Sequence, residues 1–271
     1  MKGPESVRPA STAAFAAAAL WIVDLDGVVW LSGEPIGDVG GAIASLRSRG
    51  ARVVFATNNS APTTGELLAR LDAFGVTSSS ADLISSAGAA ASLLEPGQSV
   101  KVLAEAGVLE ALDARGVAVA DGATADAAVV GWTRSFDFDM LAAVATVARS
   151  SGRLVATNED PTHPTPAGLM PGAGALLAAV ATASGVRPDV AGKPHAPMAA
   201  SMKSRFGFSD GDGSVVMIGD QPRTDGKLAQ RLRIPFGLVD SGVTAAGTGG
   251  FDVPVAVRYP DFVTLVRSVL D

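Results

Sequence analysis

A recurring rhythm constrains this chain more than any single residue does. An apolar run of four to six residues gives way to a polar loop, and a helical pattern follows. Such runs stand at 20–23, 52–56, 215–218 and 236–239, with candidate helices at 41–49 and 63–74. Runs this short and this apolar suit strands buried on both faces. Alternation with helices then indicates a parallel α/β sheet. The second candidate helix opens on Thr63 and carries Glu66 three residues later, a capping-box signature. The middle of the chain repeats the alphabet, with strands at 100–103, 127–130 and 154–156 and helices at 136–149 and 173–184. Pro96-Gly97 and Arg187-Pro188 mark joints around this block. The expected organisation is a disordered tail at 1–12 and a core domain at 13–86 and 188–271. A smaller α/β domain at 87–187 interrupts that core.

Composition narrows the chemistry. Hydrophobic residues make up 48% of the chain and charged residues 18%, enough to bury a substantial core. There are no cysteines, which excludes disulfides, thiolate nucleophiles and cysteine-ligated zinc. The only histidines are His163 and His195, too few for a multi-histidine metal site. A metal would therefore take mostly oxygen ligands, which points to a hard cation such as Mg²⁺. The net charge of −6 provides no global basic footprint for nucleic acid. Any phosphate site must build its own local positive field. The apolar stretch at 13–23 is too short to span a bilayer. Asp24 follows it at once, with little apolar chain upstream for a signal peptide. The expected reading is a buried strand and a cytoplasmic protein.

Three of the apolar runs lead directly into chemistry-bearing residues. The first ends in Asp24-Leu25-Asp26-Gly27. Ligands collect at the carboxyl ends of strands in open α/β sheets. Two carboxylates there can divide the work, one attacking and one handling protons. Gly27 permits the tight turn this needs. The second run ends in Thr57-Asn58-Asn59-Ser60, whose hydroxyl and main-chain N–H groups suit phosphate oxygens or a helix cap. The third leads into Gly219-Asp220-Gln221-Pro222-Arg223-Thr224-Asp225, a second pair of acids able to share a cation with the first. Lys193 stands in Gly192-Lys193-Pro194, without the glycine and hydroxyl spacing of a P-loop. Asp210-Gly211-Asp212-Gly213 lacks the calcium-loop ligands further on and reads as a solvated turn.

In this order, the motifs resemble the haloacid dehalogenase-like (HAD) superfamily, specifically its NagD-like branch, subclass IIA. That branch is related to pyridoxal-phosphate, phosphoglycolate and glycerol-phosphate phosphatases. The resemblance spans residues 22–243 and includes Ala156-Thr-Asn-Glu-Asp160, Pro171-Gly-Ala-Gly174 and Ser241-Gly-Val243. It implies a doubly wound, Rossmann-like parallel-sheet core with an inserted, smaller α/β cap of the C2 type. Independently of the family, positions 57 and 193 lie 136 residues apart (193 − 57). One βα crossover uses about 30 residues, so an inserted domain is required.

The resemblance also assigns roles. Asp24 is the nucleophile that becomes an aspartyl phosphate, and Asp26 is the general acid and base. Mg²⁺ is held by the Asp24 carboxylate, the Asp26 main-chain carbonyl and Asp220. Thr57, Asn58 and Lys193 hold the transferring phosphoryl group, and Asp225 acts from the second layer. The implied activity is hydrolysis of small phosphate monoesters, with no nucleic-acid or membrane partner and a homodimer as relatives suggest. Asp26 favours phosphate chemistry, because family dehalogenases lack an acid there. Gln221-Pro222-Arg223 and Gly226-Lys227 depart from the branch and leave the shape of that loop open. His163, in a segment resembling the cap specificity loop, is the candidate substrate contact. His195 reads as a helix-start residue, Arg134 as a cap salt-bridge partner, and Trp30 and Trp132 as packing residues. A phospho-accepting receiver-like domain and a sugar phosphomutase are the competing readings.

Overall fold

The structure, a computed structural model, describes residues 10–165 and 168–271. The expected tail at 1–12 lies outside the described residues as far as position 9. From there a helix, Ala10–Ala16, occupies ground expected to be tail and strand. Its alanines favour helix over strand. Only Leu20–Val23 is extended. Phe15 is buried and meets the Trp21 ring edge-on, with centroids 5.9 Å apart.

The chain folds into two compact units. The first contains the described chain up to Ala56, Ala73–Thr77 and Phe206–Asp271. In its parallel sheet the strands run Val257–Tyr259, Phe236–Val239, Val215–Gly219, Leu20–Val23 and Arg52–Thr57 across the sheet. Sequence order therefore starts in the middle, steps to one side and returns to the other. That reversal marks a doubly wound sheet, and its switch point lies beside Leu20–Val23. The four residues of that strand are all buried, as expected for a strand covered on both faces. The terminal helix Phe262–Leu270 is capped by Asp261, whose Oδ1 accepts the Thr264 N–H at 2.7 Å. It buries Phe262, Leu265, Val266 and Val269, an i, i+3, i+4, i+7 stripe. It packs on the helices Val39–Ser48 and Ala10–Ala16.

The second unit contains Thr57–Asp72 and Ser78–Arg205. Its own parallel sheet has the order Asp189–Val190, Leu154–Ala156, Ala127–Val130, Ser99–Leu103, Ala118–Val119. The helices Phe138–Ser151 and Ala173–Ser184 pack on each other and on Ala127–Val130. Small side chains dominate this core, including Ala128, Ala145, Ala148 and Val147. The unit is larger than the expected 87–187 segment. At one end, Asp189–Val190 pairs with Leu154–Ala156, a two-residue strand with no apolar run to announce it. At the other, the segment after Thr57 is tied in by side chains and backbone. Gly107 N–H donates to the Ala61 carbonyl at 2.9 Å, and Thr64 N–H to Glu110 at 2.7 Å. An antiparallel hairpin, Thr162–Thr165 with Gly168–Pro171, was not expected from the sequence. Among the described residues no helix is long and apolar enough to cross a membrane.

Candidate active site

In the first unit, Asp24 directly follows Leu20–Val23, and Asp220 directly follows Val215–Gly219. These strands are neighbours, with Val23 paired to Ile218. Both acids thus leave the same end of the sheet, at its switch point. Asp225 joins them through one turn of wider, π-type helix at Pro222–Gly226. That turn resolves the loop whose shape the sequence left open. The turn is anchored by Gln221 N–H donating to Asp225 Oδ2 at 3.1 Å, and by Asp225 N–H donating back to the Gln221 carbonyl at 2.9 Å. All three carboxylates are buried, and one oxygen of each lies within 4.8 Å of the others.

Two glycines make the cluster possible. Gly27 takes a φ of +86°, and a Cβ there would stand 2.6 Å from Asp220 Oδ2. At Gly219 a Cβ would lie 2.3 Å from the Asp225 carboxyl carbon. Any side chain at either position would displace an acid. Asp220 Oδ2 also accepts the Val243 N–H at 2.6 Å, and Ser241 donates to the Gly27 carbonyl at 2.7 Å. The Ser241-Gly242-Val243 segment thus fastens the Asp220 and Gly27 loops together. Every donor in the cluster is a carboxylate oxygen, the ligand type of hard divalent cations. Three carboxylates buried this close repel one another unless positive charge offsets them. The residues therefore fit a metal ion.

Asp26 is not part of that cluster. It is half-buried, and its Oδ1 accepts the indole N–H of Trp30 at 2.9 Å.

The phosphate-binding candidates all fall in the second unit. Thr57 is buried, and its Oγ1 accepts the Asn59 N–H at 3.0 Å. Asn58 does something the sequence did not suggest. Its Oδ1 accepts the Lys193 N–H at 2.7 Å, and its Nδ2 donates to the Lys193 carbonyl at 3.1 Å. The same Nδ2 donates to Asp160 Oδ2 at 2.9 Å. The side-chain amide thus grips the main chain of the lysine and ties it to the Asp160 loop. The Asn58 carbonyl in turn accepts from Ser86 at 2.6 Å and from Asn158 at 2.8 Å. Lys193 is almost wholly buried.

His163 lies on the unexpected hairpin, opposite Met170, with its ring 5.7 Å from that of Trp132. Trp132 donates its indole N–H to the Pro171 carbonyl at 3.0 Å, so it braces both hairpin strands. His195 precedes the helix Ala196–Phe206, as expected, and its Nε2 lies 2.9 Å from Glu159 Oε1. Arg134 is exposed, and its main-chain N–H donates to Glu105 at 3.2 Å. A cleft of about 970 Å³ in this unit is lined by none of the motif residues. Its charged groups are engaged locally: Glu110 accepts the Thr64 N–H, and Arg205 donates to the Ser80 and Leu83 carbonyls. It reads as a groove between helices.

The chain is similar to known proteins over most of its length. Residues 21–118 match the haloacid dehalogenase-like hydrolase model, and residues 190–264 match a second HAD-hydrolase-like model. The chain is 34% identical over 249 residues to a D-glycerol 3-phosphate phosphatase of Mycobacterium tuberculosis, covering 89% of this chain and 68% of that protein. It is 31% identical to a dihydroxyacetone phosphatase of Corynebacterium glutamicum, covering 93% and 89%. The chain belongs to the haloacid dehalogenase-like hydrolases. Within them it is a phosphatase, that is, a phosphoric monoester hydrolase, of the NagD-like branch. A solved glycerol phosphate phosphatase from M. tuberculosis, in complex with calcium, superposes with a TM-score of 0.81 at 30% identity, covering 92% of this chain and 76% of that one.

Some of the contacts around the motif residues were not read from the sequence. Trp30 read as packing, Asn158 and Asp160 stood in the 156–160 stretch of the resemblance without an assigned role, and Ser86 was not singled out. A usable signal existed for Trp30. A tryptophan four residues after an acid carries an N–H that needs a partner once buried. For the bond from Asn58 to Asp160 there was none, since 102 residues separate the two.

Proposed function

We propose that this phosphatase hydrolyses small phosphate monoesters with Mg²⁺, carrying the phosphoryl group on Asp24 between two half-reactions. The observation that carries the reading is the buried triad of Asp24, Asp220 and Asp225 at the switch point of the sheet. Those three carboxylates would hold the ion, joined by the Asp26 main-chain carbonyl that the family resemblance implies. The donor set favours a direct part for Asp225 over the second-layer part expected from the motif. When bound, Mg²⁺ supplies positive charge that offsets the meeting of carboxylate and phosphate.

In the first half-reaction an Asp24 carboxylate oxygen bonds to phosphorus. The bond to the ester oxygen breaks, and its electron pair stays on the leaving oxygen. Asp26 gives that oxygen a proton, releasing an alcohol. In the second, water attacks the aspartyl phosphate, Asp26 takes a proton from it, and inorganic phosphate leaves Asp24 free again. Thr57 Oγ1, the Asn58 main-chain N–H and the Lys193 ammonium hold the phosphoryl oxygens. Asn58 contributes through its main chain because its amide is committed to Lys193. Phosphoryl transfer depends on such alignment and charge neutralisation more than on covalent help.

Relatives named for glycerol 3-phosphate and dihydroxyacetone phosphate favour a small polyol or sugar phosphate as substrate. His163, held against Trp132, is the proposed contact to its carbon skeleton. A panel of phosphate esters assayed with Mg²⁺ tests the reading. Repeated phosphate release is expected, with loss on chelation and in Asp24→Asn. A single stoichiometric phosphorylation that persists would instead favour the receiver-like reading. Transfer of the group to a sugar would favour a mutase.

A further inference from the structure

We propose that Trp30 is a positioning residue for proton transfer, its indole N–H fixing which oxygen of Asp26 carries the proton. The inference rests on the assignment of Asp26 made above.

The indole nitrogen lies 2.9 Å from Asp26 Oδ1. An indole N–H donates and cannot accept, so the bond has one direction. Oδ1 is committed as acceptor whether Asp26 is protonated or not, and the proton is left to Oδ2. The terminal torsion of an aspartate is broad by itself. Without the indole, either oxygen could turn toward the leaving group.

The tryptophan is held firmly enough to impose this choice. It is 1% exposed, and its ring lies 6.0 Å from that of Phe74 at 57°. Its backbone closes the turn that carries Asp26. Gly27 N–H donates to the Trp30 carbonyl at 2.6 Å, and Trp30 N–H donates to the Leu25 carbonyl at 3.2 Å. The following hairpin, Trp30–Leu31 with Glu34–Pro35, anchors the far side. Asp24, Asp26 and Trp30 are therefore parts of one short, internally bonded turn. The competing explanation is simple packing, in which a buried indole needs any acceptor and Asp26 is the nearest. Loss of packing would slow every substrate alike. Loss of a positioned acid would slow only those esters whose leaving group needs a proton.

The test compares kcat/KM for glycerol phosphate, an alkyl ester, with that for p-nitrophenyl phosphate, whose phenolate leaves unaided. This ratio reports only the steps through release of the alcohol or phenol. Positioned general acids contribute about 10²–10⁴-fold. Trp30→Phe keeps the ring and deletes the donor. It is expected to lower kcat/KM for the alkyl ester by about 10–100-fold, a partial loss of that contribution. For the nitrophenyl ester the fall should be no more than about threefold, with the alkyl loss in kcat rather than KM. Asp26→Asn should show the same selectivity more strongly, and adding Trp30→Phe to it should cost nothing further. If Asp26→Asn slows both esters alike, the assignment of Asp26 fails. If Asp26→Asn discriminates but Trp30→Phe does not, Trp30 only packs and the proposal falls. Should Trp30→Phe fold poorly, benzothienylalanine at position 30 preserves ring shape without the N–H and must give the same selective loss.

Discussion

Asn58 shows how a motif residue can be found by sequence while its side-chain partners stay hidden. The Thr-Asn-Asn pattern marked it for phosphate, yet its amide spends itself on the Lys193 main chain and on Asp160. Sequence could not supply that partnership, because 135 residues separate Asn58 from Lys193. Asn58→Ala would strand the Lys193 N–H and carbonyl. An unmade buried hydrogen bond costs about 1–3 kcal/mol, and a chain near this size loses about 2–4 °C of unfolding midpoint per kcal/mol. A lower midpoint and a fall in kcat/KM are therefore expected together. Asn58→Asp should be at least as damaging. It keeps the acceptor for Lys193 N–H but turns a carboxylate toward Asp160. Activity and thermal unfolding of the two variants check this. Asn58→Asp outperforming Asn58→Ala would contradict the clamp.

At the scale of elements, periodicity was most legible where packing and pattern coincide. The strands Ala127–Val130, Leu154–Ala156 and Phe236–Val239 and the helix Ala173–Ser184 stand where the apolar runs place them. Each is buried on the side that its pattern requires. The hairpin at Thr162–Thr165 and Gly168–Pro171 was hidden by Pro164, Gly168 and Pro171, which break an apolar run. Two-residue strands such as Ala118–Val119 have no period to read. The capping box was legible and is formed. Thr63 N–H donates to Glu66 Oε2 at 2.8 Å, and Glu66 N–H to Thr63 Oγ1 at 3.2 Å. These bonds from Thr63 hold the exposed Glu66 carboxyl below the ordinary glutamate value. A depressed carboxylate contributes stability that is present above its unfolded value and lost as pH falls through the folded one. Thr63→Ala should cost about 1 kcal/mol near neutral pH. The gap to the unaltered protein should narrow as pH drops through the glutamate range. Unfolding curves across that range test it, and a gap that widened in acid would refute the box as its source.

For the whole molecule, composition and spacing revealed the architecture before any contact was known. Short two-sided strands predicted the parallel sheets, and the distance from Thr57 to Lys193 required a second body of chain. The unit edges were less legible. Their joints at Ala56, Asp72, Thr77 and Arg205 fall within or beside regular elements, away from the Pro96-Gly97 and Arg187-Pro188 breaks that the sequence offered. The acids at 24, 220 and 225 could be paired by motif, but their depth at the switch point is a property of strand order. That order makes Asp24 the central claim, since it stands where the strand beside the switch point ends. The most direct measurement is rapid quenching of the enzyme during turnover of a phosphate ester, followed by peptide mass analysis. The account predicts a phosphoryl group on the peptide containing Asp24, formed and lost within the catalytic cycle and absent from Asp24→Asn. Turnover with no phosphoryl adduct on Asp24, or undiminished turnover by Asp24→Asn, would contradict it.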